Sequence, residues 1–148
     1  MTELIERVDH TGITVPDLEA ALRFRRDVLG FEETHRGRLD GEFAAEVVGV
    51  PEADIRMASL LGHGHRIELL QYDAPADRQH LRPRSCDVGS VHLALRVRDL
   101  DAFARLVAPH GWEAAGAPQT LERGARQGSR FGYFRDAAGT TIEAIQPA

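Results

Sequence analysis

Two histidines and two glutamates carry the chemistry this sequence offers, and they recur with a fixed partnership. His10 stands in Val8-Asp9-His10-Thr11-Gly12-Ile13-Thr14-Val15-Pro16-Asp17-Leu18-Glu19-Ala20, and His92 in Val91-His92-Leu93-Ala94-Leu95-Arg96-Val97-Arg98-Asp99-Leu100-Asp101-Ala102. Aligning them at an offset of 82 residues also pairs Val15 with Val97, Asp17 with Asp99 and Leu18 with Leu100. Ile67-Glu68-Leu69-Leu70-Gln71 matches Ile142-Glu143-Ala144-Ile145-Gln146 at an offset of 75, so each half has one histidine early and one glutamate late. A lone histidine on a strand is ordinarily structural, and a lone glutamate near a strand end is ordinarily a solvated charge. Duplication of both types at matching positions argues otherwise, because a doubled fold must keep its core residues but has no need to keep polar ones. Imidazole with carboxylate suits Zn, Ni, Co, Mn or Fe, and two glutamates neutralise one dication.

The elements that must position these groups follow from the same repeat. Residues 7–15 read as a strand, and Asp17 as the N-cap of a helix with Leu18, Ala21, Leu22, Arg25 and Val28 at helical spacing, stopped by Gly30. Asp99 caps residues 100–109, whose expected buried stripe is Leu100, Phe103, Leu106 and Val107. Gly30-Phe31-Glu32 and Gly111-Trp112-Glu113 correspond at an offset of 81. Strand-like runs follow at 31–36, 55–61 and 65–72, then at 112–115, 130–135 and 140–146, so each half reads strand, helix, three strands. Residues 37–54, with Phe43, Val47 and Val48, suit either a short helix or an irregular loop. Module 1 thus spans about 6–72, the aperiodic Pro- and Arg-containing stretch 73–89 is a linker, and module 2 spans about 90–147 of one domain covering 1–148.

Strand alternation decides which way the key side chains point. His10 shares a face with Gly12 and Thr14, His92 with Ala94 and Arg96, Glu68 with Arg66 and Leu70, and Glu143 with Thr141 and Ile145. The apolar positions beneath the helices lie opposite, so the four groups are expected to converge on one sheet face. His63 and His65 flank Gly64 in what reads as a hairpin turn, and His35, His80 and His110 require no chemistry.

Composition removes other chemistries. All 18 basic residues are arginine, which excludes a Schiff-base lysine, a phosphate-loop lysine and a serine–lysine dyad. Against 23 acidic residues they leave a net charge of -5, so nothing draws the chain to nucleic acid or to anionic lipid. The single cysteine, Cys86, cannot make an internal disulfide and fits a reducing compartment. The opening MTELIERVDH has no apolar run and no stretch approaches a membrane span, so a cytoplasmic protein is expected.

With these residues in place the sequence resembles the vicinal oxygen chelate superfamily, which includes glyoxalase I, methylmalonyl-CoA epimerase, extradiol dioxygenases and the fosfomycin and bleomycin resistance proteins. The resemblance is carried by VDHTGITVPDLEAALRFRRDVLGFE, RIELLQY, VHLALRVRDLDAFARL and FGYFRDAAGTTIEAIQP, which cover nearly the whole chain. It implies an α+β fold of two βαβββ modules in tandem, forming a cupped mixed sheet with helices on the outside. It also implies one divalent metal ion held by His10, Glu68, His92 and Glu143, a set similar to the bacterial glyoxalase I type. Homodimers are common among such proteins, and one is expected. Arg25 in FRRD, where an aromatic residue is usual, and Ala137-Ala138 in place of Pro-Asp depart from the family pattern without touching the ligand set.

The activity so implied is that of a lyase or isomerase acting on a small substrate with adjacent oxygens through a metal-stabilised enediolate, with Glu143 and Glu68 as bases. Arg96, Arg130 and Tyr133 are the candidate substrate contacts, since arginine holds a carboxylate by paired hydrogen bonds. Two rivals differ in class. An extradiol dioxygenase would use His10, His92 and Glu143, with Glu68 as an extra carboxylate. A non-catalytic drug-binding protein would need an apolar cup and no metal, and gives no reason for two carboxylates.

Overall fold

The computed structural model describes residues 4–148; the first three residues of the N-terminal stretch read for a leader lie outside the described residues. The chain divides into two compact units between Arg78 and Gln79, a boundary inside the expected linker. The first unit runs β1 (Thr11–Thr14), α1 (Leu18–Arg23), β2 (Glu32–Leu39), α2 (Gly41–Val48), β3 (Asp54–Gly62) and β4 (His65–Ala74). Its sheet has the order β1-β4-β3-β2, with β1 parallel to β4 and the other pairings antiparallel. The second unit runs β5 (Leu93–Arg96), α3 (Leu100–Val107), β6 (Glu113–Ala114), β7 (Gln119–Thr120), β8 (Arg130–Arg135) and β9 (Thr141–Gln146). Here the order is β5-β9-β8-β6, again with the first strand parallel to the last, and β7 also pairs with β8. Among the described residues no helix is long and apolar enough to cross a membrane.

The same polar lock positions the helix in both units. Asp17 Oδ1 accepts from the Ala20 amide at 2.9 Å, and Asp99 Oδ1 from the Ala102 amide at 2.9 Å, each satisfying a first-turn N–H that has no helical acceptor. The next donor is met from the sheet: the Leu18 amide donates to Gln71 Oε1 at 2.7 Å, and the Leu100 amide to Gln146 Oε1 at 2.8 Å. Gln71 and Gln146 each stand three residues after a glutamate. An odd separation on a strand reverses the face, so each glutamine turned toward its helix requires the glutamate to point to the other side.

Apolar burial holds this arrangement. Leu18 and Leu22 of α1 bury with Ala58, Leu60, Ile67 and Leu69 in the first unit, and Leu100, Phe103 and Val107 of α3 with Phe134, Ile142 and Ala144 in the second. Phe103 meets Phe134 edge to face at a centroid distance of 5.3 Å. Leu106, expected in the buried stripe, is half exposed, because α3 is a short helix that presents only one side to its sheet.

One open reading is resolved and two further local features were not expected. Residues 37–54 do contain a helix, α2, whose Ala44 packs on Ala53 and Ile55 while Phe43 and Val47 face outward; Gly49 ends it at φ 68°. After α1 the chain continues as a π-helical turn over Phe24–Val28, with the Leu29 amide donating to the Phe24 carbonyl at 3.2 Å. Arg25 is buried there and donates to the Ala21 carbonyl, so the residue that departs from the family pattern has a structural place. Strand β7 was not expected, since two residues carry no periodicity.

The repeated lock predicts that Asp99→Ala and Gln146→Ala each lower the stability of the second unit by about 1 kcal/mol. Denaturant midpoints should show it, with amide exchange speeding up in the first turn of α3 before it does in β9.

Candidate metal and substrate site

The expected strands start later than the periodicity suggested, so His10 and His92 each sit one residue ahead of β1 and β5. Their rings nonetheless reach the glutamates of their own unit. His10 Nε2 lies 3.4 Å from Glu68 Oε2, and His92 Nε2 lies 3.4 Å from Glu143 Oε2. The exposures also match: 36% for the His10 side chain and 16% for Glu68, against 40% and 15% for His92 and Glu143. Each carboxylate is therefore recessed and each imidazole opens to solvent. Parallel pairing sets Gly12 beside Glu68 and Ala94 beside Glu143, small neighbours that leave the carboxylates uncovered.

Hydrogen bonding identifies the tautomer of His10. Its Nδ1 is 2.9 Å from Asp9 Oδ1, and an ionised carboxylate can only accept, so Nδ1–H donates, and a ring with one proton then has its lone pair at Nε2. The same bond is the main reason that the Asp9 carboxyl is held below its ordinary range. In that state Nε2 and Glu68 Oε2 are two electron-rich atoms facing each other, and their contact is favourable only with a cation or proton between them. Donors bound to one ion at about 2.1 Å stand roughly 3.0–3.4 Å apart along a tetrahedral or octahedral edge. The 3.4 Å separation matches that edge in both units. The donor chemistry therefore fits a divalent metal, each unit offering two ligands.

The four expected ligands appear as two such pairs. Among the described residues no group of three or more His, Cys, Asp or Glu is placed to hold a metal ion. Beyond the pairs the two units differ. Across β3, Ser59 occupies the position next to Glu68, and the row continues to His35 on β2. Across β8, Tyr133 is next to Glu143, and its ring meets His92 edge to face at 5.1 Å. Burial pushes the Tyr133 phenol upward, and the Glu143 carboxylate beside it pushes the same way, so the hydroxyl stays protonated and available as a donor.

The other sequence candidates separate cleanly. Arg96 and Tyr133 lie on the Glu143 face. Arg130 does not: it pairs with Gln146 on the helix side and makes two hydrogen bonds to Asp101 of α3, at 2.8 and 2.9 Å. Its place at the start of a strand is common to a substrate contact and a helix clamp, and only the register tells them apart. His63 and Gly64 form the β3–β4 turn with φ of 54° and 75°, as the hairpin reading expects. His63 bonds to the Leu29 carbonyl and His65 to the Thr11 hydroxyl, which absorbs both in structure. Asp9 was missed, although its adjacency to His10 was the signal that could have found it. Ser59 carried no signal, because only strand pairing brings it to Glu68.

Known proteins share the sequence pattern and the fold of this chain. Residues 7–144 match the family model described as Glyoxalase/Bleomycin resistance protein/Dioxygenase superfamily. The chain is 38% identical over 143 residues to a 2-epi-5-epi-valiolone epimerase from Actinomyces sp., covering 93% of this chain and 78% of that protein. Among solved structures, a glyoxalase family protein from Bacillus cereus superposes with a TM-score of 0.82 at 24% identity, covering 99% of this chain and 98% of the other. The fosfomycin resistance protein FosX from Mesorhizobium loti superposes with a TM-score of 0.60 at 19% identity over 98% and 94% of the two chains. At these identities the two structures speak for the fold.

The Arg130 clamp supplies a pH readout. Hydrogen bonding from Arg130 is the main cause that holds the Asp101 carboxyl below 3.8, so its contribution to stability is present above about pH 3.8 and is lost as pH falls through the lowered value. Arg130→Gln should return Asp101 to the ordinary carboxylate range in an NMR titration. The variant should also lose less stability than wild type between about pH 4 and pH 2, since the acid-sensitive pair is already absent.

Proposed function

Because the chain belongs to the Glyoxalase/Bleomycin resistance protein/Dioxygenase superfamily, we propose that it is a divalent-metal-dependent isomerase of the epimerase kind, acting on a small substrate with adjacent oxygens. The observation that carries this reading is the equal 3.4 Å spacing of two histidine–glutamate pairs, the separation that two ligands of one divalent ion span. His10 with Glu68, and His92 with Glu143, would each supply two ligands to an ion. When bound, such an ion supplies Lewis-acid polarisation of a carbonyl, which acidifies the neighbouring C–H.

The chain's own groups supply the rest. Epimerisation takes a proton from one side of a carbon and returns one to the other, so it calls for two bases, and the duplicated fold provides Glu68 and Glu143. Both are recessed, which limits their hydration and favours proton transfer to a bound substrate over exchange with bulk water. Asp9 fixes the ring of His10 and keeps its Nε2 lone pair available. The protonated Tyr133 hydroxyl can donate to Glu143 or to a substrate oxygen on the same face, and Arg96 offers a cation two residues further along that face. The relative from Actinomyces supports the epimerase class, and the substrate in its name is the first to try.

Metal reconstitution of the purified chain, followed by incubation with 2-epi-5-epi-valiolone in deuterated water, tests the proposal. The expected result is uptake of about one equivalent per chain and incorporation of deuterium next to the carbonyl. Substituting His10 or His92 by alanine should weaken the ion by roughly tenfold or more, and Glu68→Gln or Glu143→Gln should slow exchange by roughly 10²–10⁴-fold. Uptake below about a tenth of an equivalent in wild type would sink the enzyme reading, because ligand deprotonation and metal binding are linked and a formed site takes up its ion at neutral pH.

A further inference from the structure

Beside the Glu143 pair, the same sheet face carries a second feature, in which Arg96 is joined by a second arginine that no step above uses. Arg96 is the register partner of Ile145, which stands two residues past Glu143, or about 7 Å along the strand. Phe131, also opposite Ile145, lies on that face as well, and the Arg126 guanidinium rests over its ring at 4.9 Å from the centroid. Arg96, Arg126, Gln127, Ser129 and Ile145 together line a cleft of about 300 Å³, at the small end of the range for ligand pockets. Ser129 is buried at its wall.

The charge of this cleft comes from two arginines on one wall. Like several other exposed arginines, Arg96 and Arg126 have no carboxylate within ion-pair distance among the described residues, but these two line the same cleft. Two guanidinium groups brought to one cleft repel unless an anion joins them. Stacking on Phe131 holds Arg126 at the cleft wall without neutralising it. Two monocations match a dianion better than a single carboxylate, and guanidinium forks fit the oxygens of a phosphate.

We propose that Arg96 and Arg126 form an anion subsite that takes a phosphate monoester on the substrate, about 7 Å along the face from Glu143. This assignment rests on the reading of the Glu143 face as the substrate face, and it adds phosphate esters of small carbonyl compounds to the unphosphorylated substrate tried above. An anion held at that distance leaves the reacting end of a three- to six-carbon substrate free to lie against His92 and Glu143. Repulsion between phosphate and carboxylate also disfavours the reversed orientation.

Calorimetric titration of the full chain with methyl phosphate, and separately with acetate, at fixed ionic strength tests the subsite in both metal-loaded and metal-free protein. Saturable binding of methyl phosphate in both forms is expected, with acetate weaker by roughly tenfold or more. Arg96→Gln and Arg126→Gln should each weaken methyl phosphate by roughly tenfold, while Arg105→Gln on the outer side of α3 leaves it unchanged. Both arginines are exposed, and unaltered near-UV spectra would confirm that the variants fold. The proposal is overturned by the absence of saturable binding, by equal binding in the two cleft variants, by acetate binding as tightly as phosphate, or by binding that appears only when metal is present. A chain that takes up no metal yet binds methyl phosphate through both arginines would defeat the function proposed above and keep the subsite.

Discussion

An imidazole nitrogen and a carboxylate oxygen that face each other at 3.4 Å are held together by a cation or proton between them or by a fold that enforces the contact. In this protein the fold enforces it twice. In each unit the last strand fixes the glutamate and the segment just before the first strand fixes the histidine. Parallel pairing of these two strands is the constraint on which the rest depends, because it alone brings residues 58 and 51 positions apart in the chain to one spot. The helix between the strands serves that pairing, since a parallel connection needs a crossover.

The glutamine that accepts from the helix N-terminus explains why the pairing does not slip. A one-residue shift of β4 or β9 would turn Gln71 or Gln146 outward, leave a first-turn amide unpaired and bury the glutamate under a helix. Three unfavourable changes at once make the register sharp, and the register in turn aims the carboxylate. Stability on one side of the sheet and chemistry on the other are thus coupled through a three-residue spacing.

Duplication has not left the halves equivalent. Asp9 orients His10 by a hydrogen bond, while His92 lies against the edge of Tyr133. Ser59 and Tyr133 occupy the same place in the two sheets, and they give one carboxylate a small buried neighbour and the other a phenol whose proton is firmly held. Arginine follows the same pattern: Thr14 stands where Arg96 does in the other half, so the cationic cleft belongs to the second unit. A repeated histidine–glutamate pattern with asymmetric surroundings is what the proposed enzyme would need to hold an asymmetric substrate in one orientation.

The repeat, the helix caps, the glutamate and histidine pairs and the order of the main strands were all legible in the sequence, because each rests on local periodicity or on a residue type with a single conformational use. Helix α2 was only half legible: its eight residues interleave apolar and polar positions too briefly to separate a helix from a loop, and its outward Phe43 and Val47 obscure which side is buried. The sequence by itself determined which histidine and glutamate pair in each half and which strand face each occupies, since alternation and capping act within a few residues. Tertiary structure decided the rest. Strand register turned Arg130 to the helix side and into the grip of Asp101, left Arg96 and Arg126 without carboxylate partners, and set Tyr133 beside Glu143, because each of these depends on which distant residue a strand meets across the sheet.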